Sequence, residues 1–257
     1  MTAVAKIIAI ANQKGGVGKT TTAVDLAACL AAKKKRTMLV DCDPQGNASS
    51  GLGIDKSALE TTIYHVLING APVSEAVVQT EFKVDVLPAN INLAGAEVEL
   101  VAAISRETRL KKALDSVRDS YDYILLDCPP SLGLLTLNAL AAADSVLMPI
   151  QCEFYALEGV MQLLNTISLV KGNLNEKLEV EGVLMTMYDS RTRLSSQVVA
   201  EVRENFGDKM YKTIIPRTVR LSEAPSYGQP ILAYDKNSKG SEVYMQLAKE
   251  VISRDKR

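Results

Sequence analysis

Residues 14–20 read Lys-Gly-Gly-Val-Gly-Lys-Thr and follow a compact apolar run from Ile7 to Ala11. A chain with this junction leaves a strand through a glycine-rich loop and opens a helix. Glycines at this spacing let consecutive backbone N–H groups turn inward around an anion without Cβ clashes. Gly15, Gly16, Val17 and Gly18 are the candidate cradle. Lys19 can reach the β- and γ-phosphates of a nucleotide, and the Thr20 hydroxyl can ligate Mg²⁺. The helix beginning near Gly18 directs its positive dipole end at the same anion. The loop departs from the common G-x-x-x-x-G-K-[ST] pattern at one place. Gln13 stands where the first glycine is expected, and a second lysine, Lys14, lies inside the loop.

Short apolar runs alternate with helix-period segments along the chain. The strand candidates are 6–11, 37–41, 84–88, 122–127, 145–150, 180–187 and 211–215. The helix candidates are 18–33, 57–68, 93–104, 107–119, 132–142, 156–170, 194–206 and 239–254. Runs such as Tyr123-Ile-Leu-Leu-Asp127 and Ser145-Val-Leu-Met-Pro-Ile150 are apolar on both faces, as strands are when helices cover both sides of a parallel sheet. The alternation predicts an α/β fold, a doubly wound and mainly parallel sheet flanked by helices. With no repeat, low-complexity tract or Pro/Ser-rich linker, residues 1–257 read as a single domain.

In such sheets ligands bind beyond the carboxyl ends of the strands. The glycine loop, Asp41 and Asp43, and Asp127 all fall at such ends. Asp127 closes an apolar strand before Cys-Pro-Pro, the place of a carboxylate that holds Mg²⁺ directly or through water; capping the next helix is the alternative. Asp41-Cys-Asp43 puts two carboxylates on one side of an extended chain, and Pro44 and Gly46 then force a turn. Asp43 is placed to orient or deprotonate a water attacking the γ-phosphate, or to serve turn chemistry alone.

Bulk properties exclude several classes. A net charge of −1 means that any nucleic-acid contact must come from a local basic patch. The run Lys33-Lys-Lys-Arg36 reads as a solvated helix carboxyl end. Cys29, Cys42, Cys128 and Cys152 are isolated, so buried reduced thiols are expected rather than disulfides or a zinc site. No leader-like segment and no membrane-length apolar run is visible, and a cytoplasmic location is expected.

Several motifs together carry a specific resemblance: Lys14-Gly-Gly-Val-Gly-Lys-Thr-Thr-Thr22, Asp41-Cys-Asp-Pro-Gln-Gly-Asn47, Tyr123-Ile-Leu-Leu-Asp-Cys-Pro-Pro-Ser131, Glu153-Phe-Tyr-Ala-Leu-Glu-Gly159, Met187-Tyr-Asp-Ser-Arg-Thr192 and Ile215-Pro-Arg-Thr-Val-Arg-Leu-Ser-Glu-Ala-Pro225. In this order, over about residues 6 to 250, the chain resembles the ParA/Soj-type partition ATPases of the deviant phosphate-loop group that also contains MinD. The resemblance implies an ATP- and Mg²⁺-dependent homodimer. Lys14 would be the signature lysine reaching the partner subunit's nucleotide, with Lys19 and Thr20 on phosphate and Mg²⁺ and Thr21 on the α-phosphate. Asp43 would act on the attacking water and beside the metal, Asp127 would support the metal, and Pro216 and Thr218 would lie near the adenine. Family members often carry Asn where this chain has Thr218.

The resemblance further implies non-specific binding of double-stranded DNA through Arg191, Arg193, Arg217 and Arg220, nucleoid association, and a ParB-type centromere-binding partner that stimulates hydrolysis. Arg203 belongs to the same stretch of arginines, and pairing of these side chains with Glu201, Glu204 and Glu223 is the alternative. The first strand candidate starts at residue 6, so no amino-terminal helix-turn-helix and no operator binding are expected. Two rival readings share the loop. A MinD-like membrane-associated ATPase would need an insertable carboxy-terminal helix, but Tyr244, Leu247, Ala248 and Val251 form a stripe suited to the sheet. An ATP-using metabolic ligase would use the arginines for a carboxylate substrate.

Overall fold

Ile7, Ile8, Ala9 and Ile10 are all fully buried, and alternate side chains enter opposite sides of the sheet. Ile7 and Ala9 join one core with Met38, Val40, Ile124, Leu126, Val146 and Met148. Ile8 and Ile10 join the other with Leu39, Leu125, Leu147 and Leu184. Such two-sided burial is what continuous apolar strands require, and it places helices on both faces. The structure, a computed structural model, describes residues 4–154 and 156–255. Tyr155 of the Glu153–Gly159 motif and the chain's last two residues lie outside the described residues.

The strands are β1 (Lys6–Ile10), β2 (Thr37–Asp41), β3 (Val78–Gln79), β4 (Val84–Leu87), β5 (Tyr123–Asp127), β6 (Ser145–Gln151), β7 (Glu179–Tyr188) and β8 (Met210–Pro216). They form one sheet in the order β3-β4-β2-β5-β1-β6-β7-β8. Every pairing is parallel except that of β3 with β4. β1 lies between β5 and β6, where the winding changes direction, so a crevice opens beyond its carboxyl end. The register aligns Ile10 with Asp127 and Asp41 with Asp127, which brings the ends of β1, β2 and β5 level.

The seven strands expected from the sequence are present, along with an eighth. β3 has only two residues and pairs antiparallel at the sheet edge, too short to show a period. Three helix candidates shorten into mixed segments. The stretch 57–68 becomes a 3₁₀ turn, Lys56–Ala58, and a helix, Ile63–Asn69, that starts where His65 Nδ1 accepts the Thr62 N–H at 3.1 Å. The stretches 93–104 and 107–119 become helices Leu93–Glu99 and Arg109–Asp115, each followed by 3₁₀ turns. Short helices such as Asn47–Gly51, Val219–Glu223 and Ile231–Tyr234 carry no periodic signal and are set by tertiary contacts. No helix of the described residues is long and apolar enough to cross a membrane.

The last helix, Lys239–Asp255, buries Tyr244, Leu247, Ala248 and Val251 against β8 and the helix Lys19–Ala32 that follows the glycine loop. The expected stripe therefore faces the core. Asp25, in that same helix, is buried and accepts the Ile231 N–H at 2.7 Å, tying the carboxy-terminal third to the loop's helix.

Burial pushes the Asp25 carboxyl up to about 7 from an ordinary 3.8, against the opposing pull of the Ile231 hydrogen bond. The folded chain then keeps a proton that the unfolded chain has already lost. The stability this group contributes is complete below the unfolded value and is lost as pH rises toward the folded one. Asp25→Asn keeps an acceptor for Ile231 and removes the titration. Its melting temperature should exceed the parent's at about pH 8, with the gap closing toward about pH 4. Calorimetry across that range checks this, and identical pH slopes for the two proteins would refute it.

Candidate active site

The loop after β1 is braced before it turns. Asn12 is buried; its Nδ2 donates to the Pro149 carbonyl at 2.7 Å and its Oδ1 accepts the Lys14 N–H at 3.0 Å. Gly16 and Gly18 then adopt φ of +74° and +86°, a left-handed conformation that side chains disfavour. Gly18 is the N-cap of helix Lys19–Ala32, whose first turn has no side-chain cap and no acidic residue. Its amide groups and dipole are available to an anion.

The two lysines of the loop behave differently. Lys19 is 7% exposed and donates to the Lys14 carbonyl at 3.1 Å. Burial lowers its pKa, while Asp127, Cys128 and Asp43 pull it back up. Lys14 stands half-exposed at the mouth, and its ammonium pairs with Glu153 at 3.0 Å. Glu153 comes from the segment after β6 and also accepts from Gln151 Nε2 at 2.5 Å.

Asp127 ends β5 and is wholly buried, and neither carboxylate oxygen has a hydrogen-bond partner among the described residues. Its pKa is raised well above the usual range by burial and then by repulsion from Asp41 and Asp43. The neighbouring Thr20 hydroxyl favours the anion without closing a hydrogen bond of full geometry, and Lys19 adds attraction. A buried carboxylate left in this state is costly and suits a cation. Among the described residues no group of three or more His, Cys, Asp or Glu side chains converges as a metal cage. The Thr20 and Asp127 pair therefore fits a Mg²⁺ that keeps most of its oxygens from phosphate and water.

The structure separates the two aspartates read together in the sequence. Asp41 is fully buried and accepts the Ser49 N–H at 2.8 Å, the Ser49 hydroxyl at 2.7 Å and the Asp43 N–H at 3.2 Å. Burial raises its pKa, against the pull of those hydrogen bonds, and the Asp43 charge adds to the rise. Asp41 thus anchors the turn. Asp43 is half-buried, accepts the Gln45 N–H at 2.9 Å, and acts electrostatically on both Lys19 and Asp127. The turn needs glycine at 46, because a Cβ there would lie 2.6 Å from the Ala89 carbonyl oxygen.

A cleft of about 330 Å³ adjoins the loop and gathers Gly18 and Thr21 with Pro216, Thr218, Thr186 and Met187. Its size suits one base and part of a ribose. Thr218 caps helix Val219–Glu223 by accepting the Leu221 N–H at 3.3 Å, so its hydroxyl is already engaged. Glu153, Thr186 and Met187 are the residues here to which sequence reasoning gave no role. Glu153 and Met187 lie in motifs that carry the resemblance, while Thr186 sits inside an apolar strand with no local signal. A larger groove of about 1360 Å³ opens at the opposite edge, by the amino ends of β1, β6, β7 and β8. Ion pairs Lys6–Glu181 and Arg254–Glu250 stand in its walls, and no glycine loop enters it.

The arginines fall into two places. Arg191, Arg193, Arg217 and Arg220 are exposed on segments that follow the carboxyl ends of β7 and β8. Asp189 takes a two-pronged contact from Arg191 at 2.9 and 2.7 Å and is also attracted by Arg217. Arg220 pairs with Glu223 at 3.1 Å and Asp235 at 3.5 Å. Arg203, by contrast, lines the groove at the far edge of the sheet. The four cysteines are free and buried. Burial pushes the Cys42 and Cys128 thiols up, as suits inert core groups.

Strand, glycine loop, buried lysine and helix at the switch point of a parallel sheet define a P-loop NTPase. The AAA domain family matches residues 5–180. The chain is 62% identical over 249 residues to the sporulation initiation inhibitor protein Soj of Bacillus subtilis, with 96% of this chain and 98% of that protein covered. It is 58% identical to the chromosome partitioning protein ParA of Myxococcus xanthus, covering 98% of this chain and 89% of that one. A solved structure, cobyrinic acid a,c-diamide synthase of Mycobacterium smegmatis with bound ADP and magnesium, superposes with a TM-score of 0.87 at 40% identity, over 98% of this chain and 96% of that one. The chain belongs to the ParA/Soj-type chromosome-partitioning ATPases of the AAA domain family.

Asp127→Asn removes a buried carboxyl whose ionisation the fold disfavours. The nucleotide-free variant should melt higher than the parent, since desolvating that carboxylate costs free energy. Its further stabilisation by Mg²⁺ with ATP should shrink. Thermal shift with and without Mg²⁺ reads both effects, and an unchanged Mg²⁺ response would show that Asp127 does not support the cation.

Proposed function

We propose that this partition ATPase is a two-subunit switch: residues 1–257 act as a single domain, ATP joins two copies face to face, and the dimer holds DNA until hydrolysis releases it. The observation that carries this reading is Lys14, a half-exposed lysine inside the phosphate loop at the mouth of the crevice. A cation there can serve a neighbouring subunit's phosphates better than its own, since Lys19 already occupies the floor. On joining, Lys14 exchanges Glu153 for phosphate oxygens.

Within each copy, the cradle Gly15, Gly16, Val17 and Gly18 binds the β-phosphate through backbone N–H groups, and Lys19 leaves the Lys14 carbonyl to take β- and γ-oxygens. Thr21 holds the α-phosphate, and Pro216 and Thr218 border the adenine. Asp43, with Oδ1 engaged by Gln45, orients the attacking water through Oδ2. Thr20, Asp43 and Asp127 would hold Mg²⁺, which would neutralise charge on the phosphates.

Arg191, Arg193, Arg217 and Arg220 lie at the same edge of the sheet as the loop, so joining two copies doubles the patch. Non-specific double-stranded DNA is the ligand such exposed guanidinium groups fit, through phosphate contacts that weaken steeply with salt. A ParB-type centromere-binding protein would stimulate hydrolysis, and the protein would be nucleoid-associated in the cytoplasm. The structural likeness to a diamide synthase favours a second reading, an ATP-using ligase, at lower identity than the partition relatives. Slow hydrolysis quickened by DNA and partner supports the first reading. Hydrolysis tied to a small carboxylic acid supports the second, and flotation on liposomes with ATP would favour a membrane role instead.

Two measurements test the switch. Lys14→Ala should remove the ATP-dependent rise in mass by light scattering; an intact dimer would end the role of Lys14 in the partner's site. DNA co-sedimentation should need ATP and fail with ADP or no nucleotide, and Arg193→Glu should lower retention about tenfold at low salt. Equal sedimentation in all three nucleotide conditions would remove the switch.

A further inference from the structure

Thr186 lies near the carboxyl end of β7, 2% exposed, and its hydroxyl donates to the Val17 carbonyl at 2.8 Å. That carbonyl belongs to the phosphate loop, 169 residues away in sequence. In a trans peptide the C=O and N–H point in opposite directions. Holding the Val17 carbonyl toward β7 therefore turns the Gly18 N–H the other way, into the cradle. The Thr186 methyl and Cβ lie where a Cβ on Gly18 would find them at 3.9 and 4.0 Å, so the same side chain also backs the left-handed turn at Gly18.

Thr186 is itself firmly placed. Its carbonyl accepts the Cys152 N–H at 3.1 Å, in register with Gln151 of β6. The next residue, Met187, has φ of +54°, an uncommon state for a bulky side chain that persists where its surroundings over-determine it. The β7–β8 register shifts between Met185 and Tyr188, around this point. The strand end is thus contorted where it meets the loop.

We propose that Thr186 is a positioning residue for nucleotide binding: its hydroxyl locks the Val17–Gly18 peptide so that the loop is set for phosphate before nucleotide arrives. The proposal rests on the reading that residues 14–20 hold the phosphates. Thr186 touches the loop and not the reacting atoms. Without the hydroxyl, the buried Val17 carbonyl loses its donor and the peptide is free to rotate.

The test is titration calorimetry and steady-state kinetics on the full chain with ATP, ADP and adenosine, adenosine being read by competition. Thr186→Val keeps the shape and removes the donor. It should weaken ATP and ADP about tenfold, the scale of one buried hydrogen bond, and leave adenosine unchanged. KM for ATP should rise by the same factor with kcat retained, as for binding lost equally in ground and transition states. Thr186→Ser should restore affinity to within about twofold, and Thr186→Cys, with its weak S–H donor, should fall between. The serine and cysteine variants also keep the test open if the valine protein does not fold.

Unchanged ATP affinity in Thr186→Val would overturn the proposal. So would an equal loss for ATP and adenosine, which would make Thr186 a wall of the cleft, or a failure of serine to rescue. Lys19→Ala is the control for the underlying reading. If it binds ATP as the parent does, the loop is not the phosphate site; if it loses ATP while Thr186→Val does not, only the role of Thr186 fails.

Discussion

Asp127 carries a carboxylate at the end of the strand beside β1, with both oxygens buried and without a hydrogen-bond partner among the described residues. A fold tolerates such a group only where something else answers its charge. Lys19 and Thr20 favour its anion, but burial and repulsion from Asp41 and Asp43 outweigh them and raise its pKa well above the usual range. The level ends of β1, β2 and β5 create this crowding, because parallel register brings each strand's last residue to the same edge.

The surrounding scaffold keeps that edge rigid. Asn12 and Thr186 brace the glycine loop from β6 and β7, and Asp41 braces the next turn through Ser49. Asp25 ties the loop's helix to Ile231, so the last third of the chain borders the cleft instead of trailing away from it. These braces are buried polar contacts, which lose most when one partner is removed. The mobile part of the proposed cycle is then the exposed rim, where Lys14 and Glu153 form a half-exposed ion pair of small net worth. An interaction that weak is suited to exchange for a second subunit's phosphates.

Much was legible in the sequence because it is local. The glycine loop announces its strand and helix by composition, and strands buried on both faces announce a parallel sheet by unbroken apolar runs. The stripe of Tyr244, Leu247, Ala248 and Val251 declares a core-facing helix by its spacing. β3, with two residues, and the four- and five-residue helices were illegible, because segments that short have no period and form only against neighbours. The sequence singled out Asp43 for the attacking water but gave Asp41 no separate task; the structure shows Asp41 buried and engaged by Ser49, eight residues away, while Asp43 is half-buried and accepts the Gln45 N–H.

The sequence by itself determined the phosphate loop, the α/β class and the family, since each depends on residues adjacent in the chain or on a regular spacing. Only the tertiary structure decided that Arg203 lies at the far edge from the other arginines, that Lys14 meets Glu153, and that Thr186 holds the Val17 carbonyl. Those contacts join residues more than a hundred positions apart, or part neighbours along the chain. They exist because strand order and register, not chain order, set which side chains share a space.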